Sequence, residues 1–190
     1  MTKTKNSAAM LCMCALFTAL TAVGAFIKIP VPYMEFTLQF LFTTLAGLLL
    51  GGKYGAAAVG AYVLLGLIGV PIFAEGGGFF YVLKPSFGYL IGFVLGAYVT
   101  GKIANSTSAL SLKRLLAANF AGLGIVYAFG IVYFYLASNL WTGGSIDIGT
   151  CLLYCFVLAV PGDIVLCVLA ALLGKRLIPI IRKICPGGVE

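Results

Sequence analysis

The stretch CLLYCFVLAVPGDIVLCVLAALLG, residues 151–174, contains one charged residue, Asp163. It is longer than the ~20 apolar residues a helix needs to cross a hydrocarbon core ~30 Å thick. An ionised carboxylate at that depth costs at least ~2.5 kcal/mol, so an acid inside such a segment reads first as part of a binding site. The whole 190-residue chain has only five acids, which makes this placement costly and specific.

The rest of the chain has the same character. It is 62% hydrophobic and 9% charged, against roughly 25% charged in soluble domains. Lipid offers backbone groups no partners, so spanning segments must be helices or closed barrels, and barrel-type alternation is absent. The expectation is an all-α membrane protein forming a single integral membrane substrate-binding domain over residues 1–190. Six spans emerge: Ser7–Phe26, Phe36–Leu50, Tyr54–Ile72, Pro85–Ala104, Leu112–Leu140 and Gly149–Gly174. The last is expected to break at Pro161-Gly162 and to be followed by an amphipathic basic tail. Lys28–Glu35 reads as a loop kept extended by Pro30 and Pro32. Lys3, Lys5 and the following apolar run imitate a secretory leader. The run exceeds the 7–15 residues of a leader core, so a retained first helix is expected.

Charge sets the orientation. Of the twelve lysines and arginines, ten fall on the side shared by the two ends of a six-span chain. Lys28 and Lys84 fall on the other, with Glu35, Glu75 and Asp147. Positive residues accumulate on the cytoplasmic side, so both termini are expected there. The +7 net charge is thus topogenic and suited to anionic lipid, and no nucleic-acid partner is implied. Twelve residues separate Asp163 from Lys175, or ~18 Å of helix, placing the acid slightly outside the midplane. A pocket open to the outside and floored near Asp163 follows.

Catalysis finds little support. There is no histidine, the commonest proton shuttle and metal ligand. The six cysteines form no C-x-x-C pair and read as small buried hydrophobes; no metal site or cofactor is expected. Gly47-x4-Gly52-Lys53 approaches a phosphate-binding loop, but Tyr54 stands where Ser or Thr would hold Mg²⁺, and no strand precedes it. The chain therefore carries no ATPase of its own and is not expected to be an enzyme.

Several polar residues remain. Asp163 either accepts a ligand's N–H groups or caps the second half of a broken helix. Asn119 and Tyr127, eight residues apart, share nearly one helix face. Asn119 reads equally as a ligand contact or as a hydrogen bond between helices, and Gln39 carries the same ambiguity. Gly88, Gly92 and Gly96 at four-residue spacing suit close helix packing. Ala8, Cys12, Ala15, Ala19 and Ala22 form a smooth stripe, either packed internally or docked on another membrane subunit.

An ordered series of segments then resembles one family. It comprises Ala15–Ala25, Ile29-Pro-Val-Pro32 with Phe36-Thr-Leu-Gln39, Leu45–Gly51, Leu64–Pro71, Gly76-Gly-Gly78, Pro85–Phe93 and Val160-Pro-Gly-Asp163. The chain resembles the BioY family, biotin-binding S components of energy-coupling factor (ECF) transporters, over nearly its whole length. The resemblance implies a six-helix, multi-pass subunit of a prokaryotic cell membrane that binds biotin tightly from outside. It would work with a transmembrane coupling subunit and cytoplasmic ATPases, docked at Ala15 and Ala19. Biotin's ureido ring offers two N–H donors, which Asp163 would accept as charge-assisted bonds. Asn119 or Gln39 would donate to the ureido carbonyl, with Tyr81, Tyr89 and Phe79 enclosing the ligand. Tyr127 is included on the face it shares with Asn119, and Lys84 is placed to help Asp163 or to meet the valerate carboxylate. One position departs: a lysine commonly stands three residues after Pro-Gly-Asp, and here it is Leu166. The ligand is therefore biotin, a precursor or another vitamin, and a solitary facilitator without ATPases is the remaining reading.

Overall fold

The computed structural model describes residues 2–31, 34–107, 109–141, 143 and 146–184. Helix α1 (Thr2–Phe26) leads into a hairpin of β1 (Lys28–Val31) and β2 (Met34–Thr37), followed by α2 (Gln39–Leu67). A 3₁₀ turn (Phe79–Leu83), α3 (Phe87–Ala104) and α4 (Leu112–Leu140) come next. The short α5 (Ile148–Leu152) passes through a π turn (Leu153–Val157) into α6 (Val160–Ile184). Five helical stretches are long and apolar enough to cross a membrane, with α5 to α6 counted as one.

Helix α2 is not one rod. Gly51 takes φ 81°, ψ 173°, a left-handed conformation that a residue with a side chain resists. The chain folds back there, so Gln39 Nε2 reaches Tyr62 Oη at 2.7 Å. A straight helix would hold those residues ~34 Å apart. The two arms correspond to the second and third spans read from the sequence. The reversal packs against α3 so closely that a Cβ at Gly101 would lie 2.4 Å from the Gly52 nitrogen. The glycine row of α3 seats α4: a Cβ at Gly88 would strike Tyr133, and one at Gly92 the backbone of Val126.

Two local expectations are corrected. Lys28–Val31 and Met34–Thr37 pair as antiparallel strands and are not merely an extended loop, with Lys28 opposite Thr37 and Pro30 opposite Glu35; Pro32 lies outside the described residues. Proline's missing N–H is tolerated because each strand of a two-stranded ribbon is an edge. The irregularity in the last span lies at the π turn, one turn before Pro161. Pro161 falls in the first turn of α6, where no intrahelical N–H is required. The π turn ends at Val157, the carbonyl that a proline four residues on would otherwise crowd. Beyond Gly174 the basic tail continues α6 without interruption to Ile184. At the start of α5 the Thr150 hydroxyl and amide bond the Asp147 side chain and hold its carboxyl below the usual range.

The core lies among α2, α3, α4 and α6, while α1 leans on the second arm of α2. Thr18 Oγ1 donates to the Ala58 carbonyl at 2.8 Å, and Cys14 Sγ to Tyr54 O at 3.7 Å. The outer face of α1, with Leu11, Ala15, Leu16 and Ala19, is exposed. Gly101→Ala should lower the melting temperature of the detergent-solubilised protein by several degrees, since overpacking against backbone costs ~1–3 kcal/mol. Gly124→Ala, where an added Cβ meets nothing within 4 Å, should not lower it.

Candidate functional site

A cavity of about 490 Å³ lies among α2, α3, α4 and the start of α6, beneath the β1–β2 hairpin and the loop before the 3₁₀ turn. Its volume is in the range of drug-sized ligand sites. The sequence builds its wall from several segments of chain. Phe36 and Thr37 come from β2, Gln39 and Phe40 from the first arm of α2, and Tyr89, Leu90 and Phe93 from α3. Tyr127, Phe134 and Ser138 come from α4, and Ala159 and Asp163 from the start of α6.

Asp163 is 8% exposed, and its Oδ2 accepts the Tyr127 hydroxyl at 2.5 Å. Among the described residues Oδ1 accepts no hydrogen bond. The carboxylate is thus fixed in orientation by α4 and retains one oxygen for a donor in the cavity. The Asp163 amide bonds the Ala159 carbonyl at 3.1 Å, so the backbone is already satisfied without the side chain. The helix-capping alternative is therefore not how Asp163 is used. Phe36 packs on the adjacent glycine: a Cβ at Gly162 would lie 2.7 Å from its ring.

A second polar chain starts from the same wall. Thr37 Oγ1 donates to Gln39 Oε1 at 3.2 Å, Gln39 Nε2 donates to Tyr62 Oη, and Tyr62 donates to the Ile72 carbonyl at 3.1 Å. It ties the hairpin to both arms of α2 and to the following loop. That loop is anchored by Phe73, 1% exposed, whose ring fills the space beside Gly66 and lies 4.4 Å from the Tyr81 ring. The 3₁₀ turn is held to α4 by Trp141 Nε1 on Leu83 O at 2.7 Å and by Tyr133 Oη on Val82 O. Tyr89 and Tyr127 meet edge to face at 6.5 Å, and Tyr89 Oη donates to the Cys155 carbonyl in the π turn at 3.2 Å.

Five of the residues singled out from sequence therefore share one wall: Gln39, Tyr81, Tyr89, Tyr127 and Asp163. Three do not. Asn119 lies two turns further along α4, fully buried, with Nδ2 on the Cys167 carbonyl at 2.8 Å and Oδ1 without a partner. It joins α4 to α6. Phe79 is 73% exposed and meets Phe80 edge to face. Lys84 is not among the lining residues but stands beside one of them, with Nζ 2.6 Å from Glu75 Oε2 and 5.0 Å from the Tyr81 ring centroid. Leu166 is buried in the core away from the wall. Phe36, Glu75, Phe93 and Ser138 were not singled out. Ser138 was within reach of a periodic reading, because Tyr127, Phe134 and Ser138 recur at seven and eleven residues along one helical stripe.

Known proteins resemble this chain in sequence and in fold. The sequence pattern of the BioY family matches residues 1–183. A protein of Lysinibacillus sphaericus named "Probable biotin transporter BioY" is 44% identical over 179 residues, covering 94% of this chain and 91% of its own. The "Biotin transporter BioY" of Thermotoga maritima is 43% identical over 165 residues, covering 85% and 91%. Among solved structures, the S-component for biotin from an ECF-type ABC transporter superposes with a TM-score of 0.79 at 29% identity, covering 90% and 91% of the two chains.

The polar chain across the wall has a measurable signature. Tyr62→Phe should destabilise the protein by ~1–3 kcal/mol, because it leaves a buried amide and a carbonyl unpartnered. Combining it with Gln39→Leu should cost clearly less than the sum of the single changes. Thermal melting of the three variants in one detergent measures this coupling.

Proposed function

The chain belongs to the BioY family, and from that membership we propose that it binds biotin in the cavity at Asp163 as the S component of an ECF transporter. It is a multi-pass membrane protein and a transport component, not an enzyme. The observation that carries the reading is the oriented carboxylate: Asp163 is held through one oxygen by Tyr127, and its other oxygen has no partner among the described residues. A ureido ring presents N–H donors suited to that oxygen, and a buried charge-assisted bond is roughly twice as strong as a neutral one. Gln39 supplies amide character in the same lining, and Tyr81 and Tyr89 supply apolar enclosure with polar tips.

The membrane arrangement proposed with it has six crossings and both termini in the cytoplasm of a prokaryotic cell. The reversal at Gly51 supports the sixth crossing, and the ten-to-two distribution of basic residues supports the sidedness. The cavity then opens outward beneath the hairpin. Ala15 and Ala19 lie exposed on α1, the face proposed to meet a transmembrane coupling subunit, whose associated ATPases would drive uptake. Small side chains there let another helix approach closely.

Purified protein should bind radiolabelled biotin, and Asp163→Ala should weaken that binding at least ~100-fold, since removing the acceptor of buried donors costs roughly 3 kcal/mol. Equal affinity in both proteins would remove Asp163 from the site. Replacing Ala15 and Ala19 together by leucine should leave biotin binding by the purified chain within about twofold and abolish cellular uptake. Unimpaired uptake would place the coupling contact elsewhere.

A further inference from the structure

The wall poses an electrostatic problem. Among the described residues of the lining, the two that carry charge, Asp163 and Glu75, are both acids, while biotin carries a carboxylate of its own at neutral pH. An anion admitted beside two carboxylates in a medium of lowered dielectric requires a cation close by.

Resting on the biotin reading above, we propose that Lys84 and Lys28 form an anion subsite at the cavity rim, where the ligand's carboxylate takes over the bond that Lys84 makes to Glu75. Both ammonium groups converge on one short piece of chain. Lys28 Nζ donates to the Ala74 carbonyl at 3.0 Å, and Lys84 Nζ donates to the Glu75 carbonyl at 3.3 Å. Ala74 and Glu75 are consecutive, and both line the cavity. The lysines reach this point from different elements. Lys28 begins β1 opposite Thr37, a wall residue, and Lys84 follows the 3₁₀ turn and lies over the ring of Tyr81, another wall residue. Neither lysine pairs with Asp163 among the described residues; its Oδ2 is held by Tyr127.

Glu75 marks where an anion sits in this subsite. Glu75 belongs to the wall, and its carboxylate meets Lys84 at 2.6 Å. The two side chains are 40% and 45% exposed, so the pair is well hydrated, screened by salt and readily exchanged. A ligand carboxylate at the rim would inherit Lys84 and lie near Lys28, while the ureido end reaches Asp163. The site then reads both ends of its ligand: N–H donors inside, negative charge at the mouth.

The test compares biotin with biotin methyl ester, which keeps the ring and loses the charge. Equilibrium binding is measured on the purified full chain and on Lys84→Gln, Lys28→Gln and Glu75→Gln. The wild type should prefer the acid over the ester by about tenfold or more. Lys84→Gln should lose about that factor for the acid and under about twofold for the ester, with Lys28→Gln acting in the same sense. Glu75→Gln, which removes the competing carboxylate, should bind the acid more tightly and the ester as before. Retained ester binding also reports that each variant is folded. Equal wild-type affinity for acid and ester would overturn the subsite. So would a loss in Lys84→Gln that is the same for both ligands, which would make the lysine a structural staple of the loop. A wild type that binds neither ligand would instead overturn the biotin reading beneath it.

Discussion

One hydrogen bond, from the Tyr127 hydroxyl on α4 to Asp163 on α6, organises this molecule. A carboxylate among apolar helices is tolerable only where something donates to it, and this donor reaches it from across the bundle. Its geometry depends on parts far from the chemistry. The glycine row of α3 lets α4 approach closely enough to set Tyr127 in the wall. The π turn before Pro161 lets α6 begin where Asp163 faces the cavity without a clash at the proline. Phe36 then covers Gly162 and closes the wall beside the acid.

The remaining polar groups of the wall are arranged to satisfy one another. Gln39, Tyr62 and the Ile72 carbonyl form a chain that joins the two arms of α2 to the loop above them. Tyr89 is tied to the π turn through Cys155. A cavity made this way is largely pre-formed, which favours binding because little ordering remains to be done when a ligand arrives.

Much of this was legible in the sequence, for identifiable reasons. Membrane helices announce themselves by length and apolarity, and α4 was bounded at Leu112–Leu140 as the structure has it. Gly51-Gly52 signalled the reversal because a tight turn in lipid needs a residue free to adopt positive φ. Asp163 was evident because charge in lipid is costly. The hairpin was not evident, since pairing depends on a partner strand that prolines obscure. The π turn leaves no local sequence mark. Within the site, a shared helix face leaves Asn119 open between ligand contact and a bond joining helices, and depth decides it: Asn119 and Tyr127 lie on one face of α4 but ~12 Å apart along it. Only Tyr127 reaches the cavity. Phe79 and Lys84 belong to a turn whose side-chain directions no periodicity predicts.

The most direct measurement is a structure of the protein with biotin bound. The account predicts a ureido nitrogen within about 3.2 Å of Asp163 Oδ1, with the Tyr127 bond to Oδ2 kept and the ring enclosed by Tyr81 and Tyr89. A ligand seated elsewhere, or one in this cavity whose ureido ring leaves Asp163 bonded to Tyr127 alone, would contradict it.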